Sequence, residues 1–406
     1  MVLISFAYLI STTLSVTFLW GLLFYNRNIS DKDPLQFTII RSSFLLPGAL
    51  VNIFSGIIVD RYSKKKVMVF SELINAIAVV SFFYYFNRGF TNLWFLAAIG
   101  FASSMIFSFY EIALDASMVD LAGEKLGEKL ISVIWLMRAT SWIIGPQLGA
   151  YLYKSYGMKD IFFYNAISFI VSAALTLFLH FEKGIINNKE ENREGFMDQL
   201  NDLIAHIKKT PIMGFLFTLN LSIALFYLPI YDAIVPNMAT SLGFSDSNLA
   251  SIESSAWIGV AIGSIVVSLS PSPIYYLKNL FHLLKVESLM LLAWLFPLFL
   301  TTLSLAQMFN IFIVLTIIDG AINAAQTLGA LTYFQIKVPK KLRGKILGTT
   351  KTVMRLSAPI GTVSFGLLLK YIHWSTALLI ASLSIISIVF YLSSRPVFKK
   401  FAETIE

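Results

Sequence analysis

Two acidic side chains lie one helical turn apart inside an apolar stretch of the chain. The segment FYEIALDASMVD, residues 109–120, places Glu111 and Asp115 on one face of a predicted helix. Two neighbouring carboxyl groups that are shielded from water do not both ionise readily, so one of them can bind and release a proton. Reversible proton binding is therefore the chemistry that this pair predicts.

A basic residue is expected at the same depth. Arg138 ends the segment KLISVIWLMR, which begins the next apolar stretch. This stretch enters the membrane from the same side at which the helix of Glu111 ends. At about 1.5 Å per residue, Glu111 and Arg138 rise to similar heights and can meet. Arg138 is either part of a proton site or one half of a static ion pair that holds two helices together.

Six more ionisable residues fall within apolar stretches, where charge is costly and usually functional: Arg41, Asp232, Glu253, Asp319, Lys351 and Arg355. Lys351 and Arg355 form a basic pair one turn apart, and arginine suits a bound carboxylate. Asp232 and Glu253 are equally compatible with the outer water interface. Glu72 is predicted to be peripheral.

The composition indicates a polytopic membrane protein. The 406 residues are 57% hydrophobic and 13% charged, whereas a soluble protein carries about 25% charged residues. There is no cysteine, and the four histidines are scattered, so we predict no metal site and no cofactor. No phosphate-binding GxxxxGK[ST] motif and no pairing of a nucleophile with a base occurs, so we predict neither an ATP-driven pump nor an enzyme.

Twelve apolar runs are long enough to cross a bilayer as helices. They predict an all-α membrane protein with twelve transmembrane helices in two six-helix bundles. The predicted spans are 2–25, 36–59, 67–87, 92–119, 131–154, 160–181, 211–236, 247–270, 284–303, 306–335, 345–370 and 373–394.

The basic residues orient these spans. Most of the 31 Lys and Arg residues fall in loops on the side that holds both termini. Basic loops face the cytoplasm, so both termini are predicted to be cytoplasmic, in the inner membrane of a bacterium. The opposite side holds only Arg27, Lys32, Arg88, Lys154, Lys159 and Lys370.

A long polar segment divides the chain. Residues 182–210 separate an N-terminal bundle, 1–181, from a C-terminal bundle and short tail, 211–406. The second part of this linker, from residue 196, predicts a helix that lies either along the cytoplasmic interface or on the neighbouring loops. The segments KLISVIWLMR and KILGTTKTVMR open spans five and eleven and form a weak repeat, which is consistent with two parallel halves.

The segment GIIVDRYSKKK, residues 56–66, resembles motif A of the major facilitator superfamily. YLPIYDAIVPNM and LRGKILGTTKTVMRLSAPIG are similar to segments of its macrolide-efflux and enterobactin-exporter group. Gly145, Pro146 and Gly149 resemble part of the antiporter motif of its exporters. Two departures stand out: Ser63 replaces the usual loop glycine, and SPSPIYYLKN in the second half lacks the motif.

This resemblance implies a cytoplasmic gate. Its residues would be Gly56, Asp60, Arg61, Lys64 and Asp120. Asp60 would pair with Lys64, with the start of span eleven and with Asp120, so that the two halves latch shut on the cytoplasmic side. The alternative is that these charges only fix the orientation of the helices in the membrane. The preference of cytoplasmic loops for Lys and Arg, however, does not explain an acidic residue at position 60.

Two functions remain open after these observations. The first is a secondary transporter that exports a small amphipathic molecule, such as a drug or a siderophore, in exchange for protons. The alternative is a carrier for an organic anion, such as a carboxylate siderophore or a metabolite, for which inward movement is also open. The predicted partners are a small-molecule substrate, protons and the lipid bilayer, with no nucleic acid, and the protein is predicted to be a monomer.

Overall fold

The computed structural model describes residues 2–179, 211–270, 279–299, 302–337 and 340–395. Side chains are not described at 52–61, 119–120, 122–129, 211–216, 281, 329–337 and 340–352. Ten helices in the described ranges are long and apolar enough to cross a membrane. The predicted spans 131–154 and 345–370, which contain Arg138, Lys351 and Arg355, are helical but are not among those ten. The predicted interfacial helix lies outside the described residues.

The chain folds as two compact units, Met1–Asn192 and Arg193–Glu406. The N-terminal unit contains α1 (Val2–Ile29), α2 (Pro34–Arg61), α3 (Lys64–Asn87), α4 (Leu93–Tyr156) and α5 (Met158–Leu177). Helix α1 packs against α4 and α5, and α3 packs against the same two helices.

Helix α4 reverses its direction part-way along. It is helical over 64 residues, yet Glu111 and Arg138 are joined by an ion pair of 2.9 Å. A straight helix would separate two residues 27 positions apart by about 40 Å. The element therefore supplies two antiparallel arms, which correspond to the predicted spans four and five, and the reversal brings the acid and the base together.

Small residues let the second arm of α4 approach α1 closely. A side chain at Gly145 would collide with Val16, and one at Gly149 would lie 3.0 Å from the carbonyl oxygen of Thr17. Close backbone approach through small residues is a common way for helices to associate in membranes. The glycines of the antiporter-like segment thus have a packing role in the N-terminal unit.

The C-terminal unit begins with an irregular helix. Helix α6 (Pro211–Ser222) is followed by two π-helical turns, Ile223–Tyr227 and Ile230–Ile234, and by α7 (Val235–Ser241). Pro229 stands between the two wide turns and lacks an amide hydrogen for the helical ladder. Wide turns of this kind are frequent at functional sites.

The remaining elements of this unit follow the irregular helix along the chain. They are α8 (Asp246–Ser268), α9 (Leu280–Ala293), a 3₁₀ turn (Phe296–Phe299), α10 (Leu305–Lys337), α11 (Lys340–Leu368) and α12 (Trp374–Ser394). Helices α8 and α10 meet backbone to backbone, because a side chain at Gly259, Gly263 or Gly320 would overlap main-chain atoms of the facing helix. This glycine seam fixes the position of the residue beside Gly320, which is Asp319.

Candidate functional site

The N-terminal unit holds an ion pair with a tyrosine beside it. Nη2 of Arg138 donates a hydrogen bond of 2.9 Å to Oε1 of Glu111. The hydroxyl of Tyr8 accepts a 2.9 Å hydrogen bond from Nε of Arg138 and donates one of 3.3 Å to the same carboxylate oxygen. The side chains of Arg138 and Glu111 are only 20% and 24% exposed. Tyr8, from α1, thus fixes both partners, which come from the two arms of α4.

Aromatic rings surround this ion pair. The guanidinium of Arg138 lies 4.8 Å from the ring centroid of Trp135 and 5.9 Å from that of Tyr8. The rings of Tyr8 and Tyr110 are stacked with centroids 6.4 Å apart. Aromatic faces attract cations, so these rings stabilise the charged guanidinium and restrict its position.

Asp115 lies near the ion pair but is more open. Its negative charge acts on Arg138, and its side chain is exposed, whereas that of Glu111 is partly buried. The structure therefore brings together the three residues that the sequence placed at one depth. One base faces two acids, so the arrangement can accept one further positive charge, such as a proton.

Arg41 is held by two tryptophans of the same unit. Its guanidinium lies 5.7 Å from the ring centroid of Trp20 in α1 and 5.3 Å from that of Trp142 in α4. The side chain of Arg41 is buried. Because these contacts satisfy its cationic face, they give Arg41 a clear role in packing.

Lys64, a predicted gate residue, reaches helix α4. Its Nζ donates a hydrogen bond of 2.7 Å to the backbone carbonyl of Ala116. This contact ties the start of α3 to the first arm of α4. The other predicted gate side chains lie outside the described residues and stay a prediction: Gly56, Asp60, Arg61 and Asp120.

Glu72 is buried, and the prediction that it is peripheral is wrong. Its carboxylate accepts hydrogen bonds of 3.2 Å from Ser11 and 2.8 Å from Ser172, and its side chain is almost fully enclosed. The two serines come from α1 and α5, which are distant in sequence from α3. Only the tertiary fold reveals that these hydroxyls converge on one acid.

The C-terminal unit holds a second cluster around Asp319. The hydroxyl of Tyr227 donates a hydrogen bond of 2.6 Å to Oδ2 of Asp319, and the hydroxyl of Tyr231 donates to the same oxygen. Glu287 in α9 accepts a 2.8 Å hydrogen bond from the side-chain amide of Gln326 in α10. Sequence reasoning missed Glu287, although its position in the apolar run LLKVESLMLLAWLF was a signal.

Asp232 and Glu253 are buried in this unit. Oδ2 of Asp232 accepts a hydrogen bond of 3.5 Å from Thr362, and both carboxyl groups are at most 6% exposed. Both carboxyl groups are therefore enclosed by protein, and their position relative to the outer water interface stays a prediction. The side chain of Lys351 lies outside the described residues, and that of Arg355 is exposed.

Metal binding has no support in the part of the chain that the structure describes. No group of three His, Asp or Glu side chains there could hold an ion. The clusters instead combine carboxyl groups with tyrosine, serine and arginine. Such groups bind protons or organic ions.

Comparison with known families decides the class of the protein. The model of the Major Facilitator Superfamily matches residues 1–277. The chain belongs to this superfamily. The family that the sequence resembles is thereby confirmed.

Two relatives match most of this superfamily member. The uncharacterized MFS-type transporter YfiS of Bacillus subtilis is 24% identical over 361 residues, which cover 88% of this chain and 83% of YfiS. Macrolide efflux protein A of Streptococcus pyogenes is 22% identical over 366 residues, which cover 87% of this chain and 86% of that protein.

Solved structures with the same fold include proteins that transport different solutes. The nucleoside transporter NupG has a TM-score of 0.73 at 15% identity, with 98% of each chain covered. A D-xylose-proton symporter has a TM-score of 0.69 at 10% identity, with 97% of each chain covered. At these identities the likeness establishes the fold alone.

Proposed function

We propose that this protein is a proton-coupled secondary transporter that exports a small amphipathic molecule, drug-like or siderophore-like, from a bacterial cell. The cluster of Glu111, Arg138 and Tyr8 is the observation that carries the proposal, because it places a titratable acid in a largely buried, apolar setting. The likeness to macrolide efflux protein A supports export. The fold does not set the direction, since nucleoside and sugar transporters share it.

The ion pair supplies a way to couple protons to movement. While Arg138 donates to Glu111, the carboxylate stays charged and needs no proton. When Arg138 moves away, Glu111 is left in a low-dielectric setting beside Asp115, and a proton replaces the lost positive charge. Tyr8 contacts both partners and positions them.

Alternating access is the mechanism that fits this coupling. The bundles 1–181 and 211–406, joined by the linker 182–210, would expose the site to one side of the cytoplasmic membrane at a time. Asp60, with Gly56, Arg61 and Asp120, would latch the cytoplasmic side. The bond from Lys64 to Ala116 supports this role, because it couples the motif to the helix that carries Glu111 and Asp115. The working unit would be a monomer.

A carrier for an organic anion is the second candidate. The exposed guanidinium of Arg355 favours it, because an accessible face of arginine can bind a carboxylate with two hydrogen bonds. Arg138 does not favour it, because Glu111 already balances its charge.

A transport assay on purified protein separates the two functions. The protein is reconstituted into liposomes, and counterflow is measured for matched cationic, neutral and anionic amphipaths. A pH gradient is then imposed in each direction. Export coupled to protons predicts accumulation against a gradient of substrate only when protons flow the opposite way. Counterflow restricted to anions, with no response to the pH gradient, would overturn the proposal and establish the anion carrier.

A further inference from the structure

Two buried carboxyl groups lie on neighbouring helices of the C-terminal unit. Glu287 is on α9 and Asp319 is on α10; they are 6% and 0% exposed, and the two helices pack together. The negative charge of Asp319 acts on Glu287. The two acids therefore form one electrostatic unit, which we call the C-terminal acid pair.

Each acid of the pair has one satisfied and one unsatisfied oxygen. Tyr227 and Tyr231 donate to Oδ2 of Asp319, and Gln326 donates to one oxygen, Oε2, of Glu287. Oδ1 of Asp319 and Oε1 of Glu287 are enclosed and have no hydrogen-bond partner among the described residues. A buried acceptor without a donor destabilises the fold, and more so when it is charged. We therefore expect a positively charged group to bind at these two oxygens.

The surrounding protein does not supply that charge in the ranges that the structure describes. The buried charged side chains of the C-terminal unit there are all acids: Asp232, Glu253, Glu287 and Asp319. Lys285 shares α9 with Glu287, but its Nζ lies over the ring of Phe390, 5.0 Å from the centroid. Two buried carboxylates without a counter-charge are strongly unfavourable.

The donors around the pair favour a proton over a metal ion. Sodium or calcium would need about six oxygen lone pairs directed at one point. Here the hydroxyls of Tyr227 and Tyr231 and the amide of Gln326 direct hydrogens at the carboxyl groups instead. A proton needs only one unsatisfied oxygen, and the pair has two.

We propose that Glu287 and Asp319 share one exchangeable proton and so form a second protonation site, in the C-terminal unit. Glu287 carries the proton at rest, because two phenol hydroxyls donate to one oxygen of Asp319 and stabilise its carboxylate. Tyr227 contacts both acids and is the positioning residue between them. The inference rests on the proposed function only in assigning the proton to transport.

The two wide turns of the irregular helix shape this site. Tyr227 ends the first π-helical turn and Tyr231 lies in the second, on either side of Pro229. Both hydroxyls meet at one oxygen of Asp319. The charge of Glu253 also reaches the cluster, through Tyr231. A change in the wide turns would therefore alter the number of donors on Asp319 and move the shared proton.

Infrared difference spectroscopy tests the site without transport. The full-length protein in lipid nanodiscs is titrated between acidic and alkaline pH, and the carbonyl stretch of protonated carboxyl groups is followed in light and heavy water. We expect a band that Glu287→Gln removes, that Asp319→Asn shifts in midpoint because the neighbouring charge is lost, and that Glu111→Gln leaves in place. Tyr227→Phe should keep the fold and shift the midpoint of that band by removing one donor from Asp319.

Several outcomes would overturn the proposal. One is an unchanged set of titrating bands in folded Glu287→Gln. Another is a midpoint that Tyr227→Phe does not move. A band that sodium displaces at constant pH would replace the proton with a metal ion. Absence of pH-driven transport in the wild-type protein, with the band present, would contradict only the proposed function, because the band reports proton binding directly.

Discussion

Replacing Glu111 with glutamine is expected to separate substrate exchange from proton coupling. Glutamine keeps the size and one carbonyl acceptor of glutamate, so Arg138 and Tyr8 keep a hydrogen-bond partner. The titratable group, however, is lost. We expect Glu111→Gln to bind substrate and to exchange it across the membrane without an energy source, but not to accumulate it under a pH gradient.

The structure allows a magnitude for the interaction that is lost. One charge-assisted hydrogen bond of 2.9 Å joins Arg138 to Glu111, with side chains about a quarter exposed or less. Hydrogen bonds to charged groups contribute about 1.5–3 kcal/mol to stability. A value of about 2 kcal/mol corresponds to about a 30-fold change in the equilibrium between the paired and separated states, at 1.4 kcal/mol for each factor of ten.

A double-mutant cycle measures this value. Arg138→Gln leaves Glu111 partly buried without its base, whereas the variant that combines Arg138→Gln with Glu111→Gln removes both members of the pair. The combined variant should therefore be more stable than the sum of the single changes predicts, by about 2 kcal/mol. Unfolding of the purified protein in mixed micelles, followed by circular dichroism, gives the four free energies.

Transport by the same preparations provides the decisive result. Exchange and gradient-driven transport are measured in one batch of vesicles, for Glu111→Gln and separately for Asp115→Asn. Gradient-driven transport by Glu111→Gln at the wild-type level would refute the coupling role of this ion pair. A coupling energy near zero would refute the electrostatic reasoning even if transport were lost.

Three further predictions follow from other parts of the chain. Asp60→Asn should weaken closure and slow turnover without loss of folded protein; unchanged cytoplasmic labelling of single cysteines, which can be introduced freely because the chain has none, would contradict the gate. Neutralising Lys351 and Arg355 together as glutamine should weaken binding of anions and spare neutral compounds, whereas an equal loss for both classes would mark a structural role. Gly259→Ala places a methyl group against the backbone of α10 and should destabilise the protein by about 1–3 kcal/mol, while Ile262→Ala, on an exposed face of α8, should cost less in the same thermal-unfolding assay.

The contact between Glu111 and Arg138 was accessible from sequence because it depends on two regular quantities. Helical rise sets the depth of each residue, and the charge of the loops sets the side from which each helix starts. The contact of Arg138 with Tyr8 was not accessible in the same way, because α1 carries no charge near that tyrosine to mark its depth.

The C-terminal acid pair was harder to predict. Asp319 stood out as an acid in an apolar run, but its partners Tyr227 and Tyr231 depend on wide helical turns that no spacing rule anticipates. Glu287 and Glu72 show a related limit. The role of a single acid in an apolar helix depends on the hydroxyl or amide groups that donate hydrogen bonds to it. These groups come from helices far away in sequence.

The glycine seam between α8 and α10 also sets which parts of the C-terminal unit stay still. Backbones in contact leave no space for one helix to slide without the other, so amide hydrogens along the seam should exchange slowly with solvent. The wide turns that carry Tyr227 and Tyr231 have looser hydrogen bonding and should exchange faster. Asp319 would then stay in place, while Tyr227 and Tyr231 on the irregular helix move. Their hydrogen bonds to Asp319 would form and break, and its proton would bind and leave accordingly.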